Sequence, residues 1–176
     1  MSPASTRRFG EILNVHSVFL AVPPARAGAL LDGLGSDADA VWPGDRWPPM
    51  QIHGPLRVGA AGHHGPVEYT VEEYVPATRV RFRFTKPAGF VGTHTFAVHA
   101  EADGCRFEHR VEITPRGLAR LAWPLVFGPL HDALAEDAIA RAVMAVGRTP
   151  AEPSWSAWVR LLRALTRSSR RNPSPP

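Results

Sequence analysis

From residue 67 to 85 apolar and polar positions alternate, VEYTVEEY and RVRFRFT being separated only by VPAT. A period of two puts successive side chains on opposite faces of an extended chain, so the two runs are expected to form an antiparallel hairpin. Val67, Tyr69 and Val71 then share a face with Val80, Phe82 and Phe84. Glu68, Thr70 and Glu72 meet Arg81, Arg83 and Thr85 on the other face, where opposite charges pair across the strands and meet water. GTHTFAVHA, the turn EADG and CRFEHRVEI predict a second hairpin. In its return strand Arg106, Glu108, Arg110 and Glu112 lie on one face, and Cys105, Phe107, His109, Val111 and Ile113 on the other. His94, Phe96 and Val98 point inward by the same parity, whereas Thr93, Thr95, Ala97 and His99 point out. A four-residue turn sets Ala100 opposite Cys105, hence Phe96 opposite His109 and His94 opposite Val111. The two histidines become diagonal neighbours about 7–8 Å apart at the backbone. A turn shifted by two residues keeps both inward but changes the pairing.

The rest of the pattern is less regular. EILNVHSVFLAV reads as a strand, and PPARAGALLDGL as a short helix with proline at its start and glycine near its end. Residues 37–66 are dense in Gly, Pro and Trp and are expected to hold only turns or short strands such as MQIH and LRVG, with His63 and His64 in a glycine-rich loop. Residues 115–147 are helical in pattern but interrupted by Pro124, Gly128 and Pro129, which predicts a kink or a short helix before a longer one, stopping near Gly147. At about 100° per residue, Leu130, Leu134 and Met144 form a stripe, and Asp137 and Arg141 fall inside it. Asp132 and Glu136 point away with Ile139 and Val143 between them, so the choice of inner face stays open.

Composition narrows the function classes. The 176 residues, 44% hydrophobic and 20% charged, suit one globular domain. The domain is expected over residues 11–147, between a flexible N-terminus (1–10) and an Arg/Trp-rich tail (148–176) ending in a disordered Pro/Ser segment. The net charge of +4 belongs entirely to residues 151–176, with five arginines against one glutamate. A nucleic-acid reader carries its basic stripe on the folded surface, so that partner is excluded. A single cysteine, Cys105, rules out a disulfide framework or a cysteine-based metal site. VHSVFLAV is too short to span a bilayer and has no cleavage site close behind it, which gives a cytoplasmic expectation.

In the tail, Trp155, Trp158, Val159, Leu161, Leu162 and Leu165 fall on one side of a helical wheel, opposite Arg160, Arg163 and Arg167. So short a helix is marginal alone in water. Docking onto the chain's own domain is the preferred partner for its apolar face. Peripheral contact of residues 154–171 with an anionic inner membrane surface is the alternative.

The order strand, short helix, antiparallel meander and long C-terminal helix, with the phrases GPVEYTVEEYVPATRVRFRFT, GTHTFAV and PLHDALAEDAIARA, resembles the START/Bet v 1-like (SRPBCC) helix-grip superfamily, in its polyketide cyclase/dehydrase and lipid-transport-like branch. The resemblance covers roughly residues 11–147. It implies an α+β fold in which a curved antiparallel sheet wraps around a long C-terminal helix, with an apolar cavity between them. The protein is then expected to bind a hydrophobic or aromatic small molecule, lipid or polyketide-like, without a cofactor. A cofactor-independent cyclase or dehydratase is the alternative.

On that fold His94, His109 and Asp137 are the candidate catalytic residues. Either imidazole can hold a carbonyl or phenol, or move a proton near neutral pH, and Asp137 can orient one of them. Tyr69, Phe82, Phe84, Phe96, Phe107, Leu130, Leu134 and Arg141 are the candidate ligand-binding residues. The simpler reading, preferred here, makes the histidines hydrogen-bonded interior groups and Asp137–Arg141 an i,i+4 salt bridge. Trp42 and Trp47 can be an entrance lid or a plug. No metal is expected, because His63, His64 and His131, the last on another helix face, do not converge.

Overall fold

The computed structural model describes residues 4–8, 10–151 and 154–171. Ten alternating residues make β2 (Glu11–Leu20), which is followed by α1 (Pro24–Asp32). After the Gly/Pro-rich loop come β3 (Gln51–Ile52), β4 (Ala61–His64), β5 (Val67–Val75), β6 (Arg79–Lys86), β7 (Phe90–Glu101) and β8 (Gly104–Pro115). The chain ends in α2 (Ala119–Ala122), a π-helical turn (Trp123–Phe127), α3 (Gly128–Ala145) and α4 (Ala157–Arg171). LRVG is turn rather than strand, and His63 and His64, expected in a loop, lie on β4. The physical reason is that β4 pairs antiparallel with β5, His64 facing Val67, so the glycines around it serve the turns at either end.

All strands are antiparallel in one sheet of order β1-β2-β8-β7-β6-β5-β4-β3. At its edge β1 (Ala4–Arg8), part of the segment expected to be flexible, pairs with β2 from Ala4 opposite Val15 to Arg8 opposite Glu11. Its sequence has no apolar residue larger than Ala4, and the backbone ladder to an otherwise open edge supplies the contact instead. Residues 1–3 and the Pro/Ser segment from 172 lie outside the described residues. The β7–β8 register sets Phe96 opposite His109 and His94 opposite Val111, as the four-residue turn requires. In the first hairpin a bulge after Val71 moves Glu73, rather than Glu72, opposite Arg81.

The helix α3 is gripped from two sides. Ala135, Ala138 and Ala142 are fully buried, small side chains that let helix and sheet approach closely, while Leu134, Asp137 and Ile139 are buried around them. Inner and outer faces are therefore not alternatives along most of this helix: the sheet covers one flank, and the 39–50 loop with α4 covers another. Met144, placed in the apolar stripe by its spacing, is 53% exposed beyond the end of that cover. At the opposite end of the sheet α1 sits on the β5–β6 turn, where Asp32 accepts hydrogen bonds from Tyr74 Oη (2.9 Å) and Ala77 N (2.8 Å). Gly28 permits this approach, since a Cβ there would lie 2.0 Å from the Ala77 carbonyl oxygen.

The tail docks on the domain, with a rotation relative to expectation. Val159, Leu162 and Arg163 are the buried residues, and Trp158, Leu161 and Leu165 are exposed. Arg163 leaves the polar side because its guanidinium lies over Trp155 (3.7 Å) and Trp47 (4.4 Å) and donates to the Arg46 carbonyl. Such stacking is favourable once the ring face and the cation are both shielded from water. Trp158 Nε1 donates to Leu125 O at 2.8 Å, tying α4 to the π-helical turn. The Arg167 side chain lies outside the described residues.

Candidate functional site

The grip encloses a cavity of about 460 Å³, within the usual range for sites that take small organic molecules. Its walls are Trp42 and Trp47 from the 39–50 loop, Phe84, His94, His109 and Val111 from the sheet, and Trp123, Phe127, Leu130, His131 and Leu134 from the helical segment. His64 from β4 completes the aromatic side.

Four of these residues are imidazoles, set in a row. His64 and His94 have ring centroids 6.3 Å apart, His94 and His109 5.9 Å, and His109 and His131 5.0 Å. Strand parity supplies His94 and His109 and places Phe82 and Phe84 in near-parallel stacks on His94, at 4.7 and 5.1 Å. His94 Nε2, His109 Nδ1 and both nitrogens of His131 are buried without a hydrogen-bond partner among the described residues. Such orphaned atoms are costly in a native interior and mark where another polar group belongs. Burial, reinforced by neighbouring histidines, holds His94 and His109 well below the ordinary imidazole value. Burial, then His131 and His63, pushes His64 down to about 3. The row is therefore uncharged at neutral pH. Tyr69, its hydroxyl 3.5 Å from His64 Nδ1, is pushed up by burial and then by Asp39, so it stays a neutral phenol.

The candidates read from sequence divide. His94, His109, Phe84, Leu130 and Leu134 line the cavity, while Tyr69, Phe82, Phe96 and Phe107 are core behind the wall. Asp137 and Arg141 are not among the lining residues and do not pair with each other. Asp137, 2% exposed, accepts from Trp47 Nε1 (2.7 Å) and Arg46 Nη1 (3.0 Å), and Arg141 pairs with Asp45. The 39–50 loop crosses α3 at this point and offers two donors to Asp137 and a carboxylate acceptor to Arg141, which the i,i+4 geometry cannot match for a buried carboxylate. Asp137 thus fastens the loop, with no contact to His94 or His109 among its recorded bonds. Trp42 and Trp47 are fixed wall residues, 5% and 8% exposed, Trp42 donating to Pro48 O.

His64, expected in a loop, and His131, expected on another helix face, both line the cavity. His131 lies one turn before Leu134, on the flank of the same stripe, which was the available signal. Inward parity along β2 also places Asn14 and His16 on the sheet's buried face, where Asp132, expected to point away, reaches both.

A curved antiparallel sheet gripping a long C-terminal helix around an apolar cavity defines the Bet v 1-like helix-grip class. Within it, the chain belongs to the polyketide cyclase/dehydrase and lipid transport family, whose profile it matches over residues 16–147. CalU16 from Micromonospora echinospora is similar at 15% identity over 96% of this chain and 94% of that one, with a TM-score of 0.57. The conserved protein of unknown function EF2215 from Enterococcus faecalis is 12% identical, covering 98% and 92%, TM-score 0.57. A point mutant of norcoclaurine synthase from Thalictrum flavum, in complex with a transition state analogue, is 16% identical, covering 82% and 97%, TM-score 0.55. At these identities the likeness carries the fold alone. No curated protein matches the chain.

Proposed function

We propose that the protein binds a hydrophobic or aromatic small molecule, lipid or polyketide-like, in the cavity between sheet and α3, oriented by His94, His109 and His131. The observation that carries this reading is an apolar cavity with buried, unpaired imidazole nitrogens along one wall. A neutral imidazole presents one donor and one acceptor, so the row suits a carbonyl or phenol at the end of an apolar body. The test is native mass spectrometry of gently purified protein, followed by denaturing extraction of what it carries. A lipid or aromatic metabolite at one per chain is the expected result, with Leu134→Trp, which fills the cavity, reducing occupancy at least tenfold. A Leu134→Trp protein that folds normally and retains the same occupancy would place the ligand elsewhere.

Catalysis is the second reading, favoured by the same unpaired nitrogens: a base that is unprotonated at pH 7 can take a proton from a bound intermediate, as a cofactor-independent cyclase or dehydratase requires. It predicts that His109→Ala lowers turnover by orders of magnitude while binding persists. Equal loss of both returns His109 to a binding role. The exposed Leu118, Leu121, Leu125, Trp158 and Leu161 support peripheral contact with a membrane surface. A cytoplasmic location accords with the lone buried thiol of Cys105. Among the described residues no helix is long and apolar enough to cross a membrane.

A further inference from the structure

Behind the cavity wall, where the start of α3 crosses β2, His16, His131 and Asp132 each hold one ligand-type atom, all within 4.8 Å of one another. Asp132 Oδ1 is 3.2 Å from His16 Nε2 and 3.8 Å from His131 Nδ1. Two ligands bonded at about 2.1 Å to one tetrahedral ion are about 3.4 Å apart, so both separations are near a coordination edge. The second of them is too long for a hydrogen bond. Neither nitrogen of His131 finds a partner among the described residues, and neither is open to solvent. His16 is 5% exposed, which keeps competing water away from its ring.

We propose that His16, His131 and Asp132 bind one divalent transition-metal ion of the zinc class. Two imidazoles and one carboxylate select such an ion over magnesium or calcium, which prefer oxygen donors alone. Copper(I) would favour thiolate, and Cys105 is buried beside Leu20 O elsewhere in the core. The outer arrangement fits as well: Asn14 Nδ2 donates to Asp132 Oδ1 at 2.7 Å, the kind of bond that orients a metal-ligating carboxylate. The Asp132 side chain is 37% exposed, which leaves an entry path. The ion would join β2 to α3 and fix the His131 ring in the cavity wall. The site holds whatever the cavity's occupant proves to be.

The test uses full-length, tag-free protein stripped with a chelator and titrated with zinc, with cobalt(II) as the optical reporter. Expected are one ion per chain surviving desalting, visible d–d bands from cobalt, and loss of both in Asp132→Ala. Asn14→Ala should weaken zinc 10- to 100-fold while leaving the stoichiometry at one. The His53 and His63 rings, 5.5 Å apart just after β3 and on β4, are the competing surface pair, so His53→Gln/His63→Gln should bind as the wild type does. Retained binding in Asp132→Ala, or its loss in the β3–β4 double variant, overturns the assignment. Histidine side-chain 15N shifts of the wild type, which need no variant to fold, must move at His16 and His131 when zinc is added; unmoved shifts overturn it equally.

Discussion

A buried imidazole makes acid the enemy of this fold. His64 titrates near 3 in the folded protein, whereas an unfolded histidine takes its proton near 6.5. Between those values the unfolded chain binds a proton that the folded chain refuses. The stability contribution is therefore complete above pH 6.5 and falls as pH drops toward 3. His94 and His109 act in the same direction. Urea unfolding of His64→Leu between pH 7 and 4 should show a slope shallower than wild type by up to about 1.4 kcal/mol per pH unit. Parallel curves would show that His64 protonates freely in the fold. His94 and His109 were legible in the sequence because a strand has only two faces and one turn fixes the register between its partners. His64 was not, because its facing depends on β4 pairing with β5 across a stretch without alternation.

Among the elements, the 39–50 loop has no repeating structure of its own and depends on what it meets on α3. Asp137 is the centre of that contact, receiving the Trp47 indole and the Arg46 guanidinium from residues 90 and 91 positions earlier. A helical wheel identifies a charge on a buried flank but cannot name a partner that far away, and the adjacent Arg141 was the plausible wrong choice. Asp137→Ala should cost about 2–3 kcal/mol in equilibrium urea unfolding, the usual loss for hydrogen bonds to a charged group. Arg141→Ala, whose partner Asp45 is mostly exposed, should cost under about 1 kcal/mol. Comparable losses would mean that the two ion pairs contribute alike. The π-helical turn shows a similar limit: Pro124 and Gly128 marked a disruption, but not which irregular form the backbone would take.

For the whole molecule, the tail is part of the fold. Amphipathic spacing identified α4, yet placed Arg163 on the wet side, because a wheel has no means of knowing that two tryptophans wait to receive a cation. Burial of Val159 and Leu162 is worth about 3–5 kcal/mol together. Ending the chain at residue 150 should therefore lower the midpoint of thermal unfolding by several degrees, measured by circular dichroism. An unchanged midpoint would mean that α4 rests on the domain without stabilising it.

Trp47 and Arg163 stand in two places at once: they seat the last helix, and they line the cavity. A guest pressing on these side chains would tighten the helix, and a loosened helix would release the guest. Occupancy and closure become a single equilibrium with reciprocal coupling. The last helix then bears on how long a guest stays, although Arg163 is the residue of it that lines the cavity among those described.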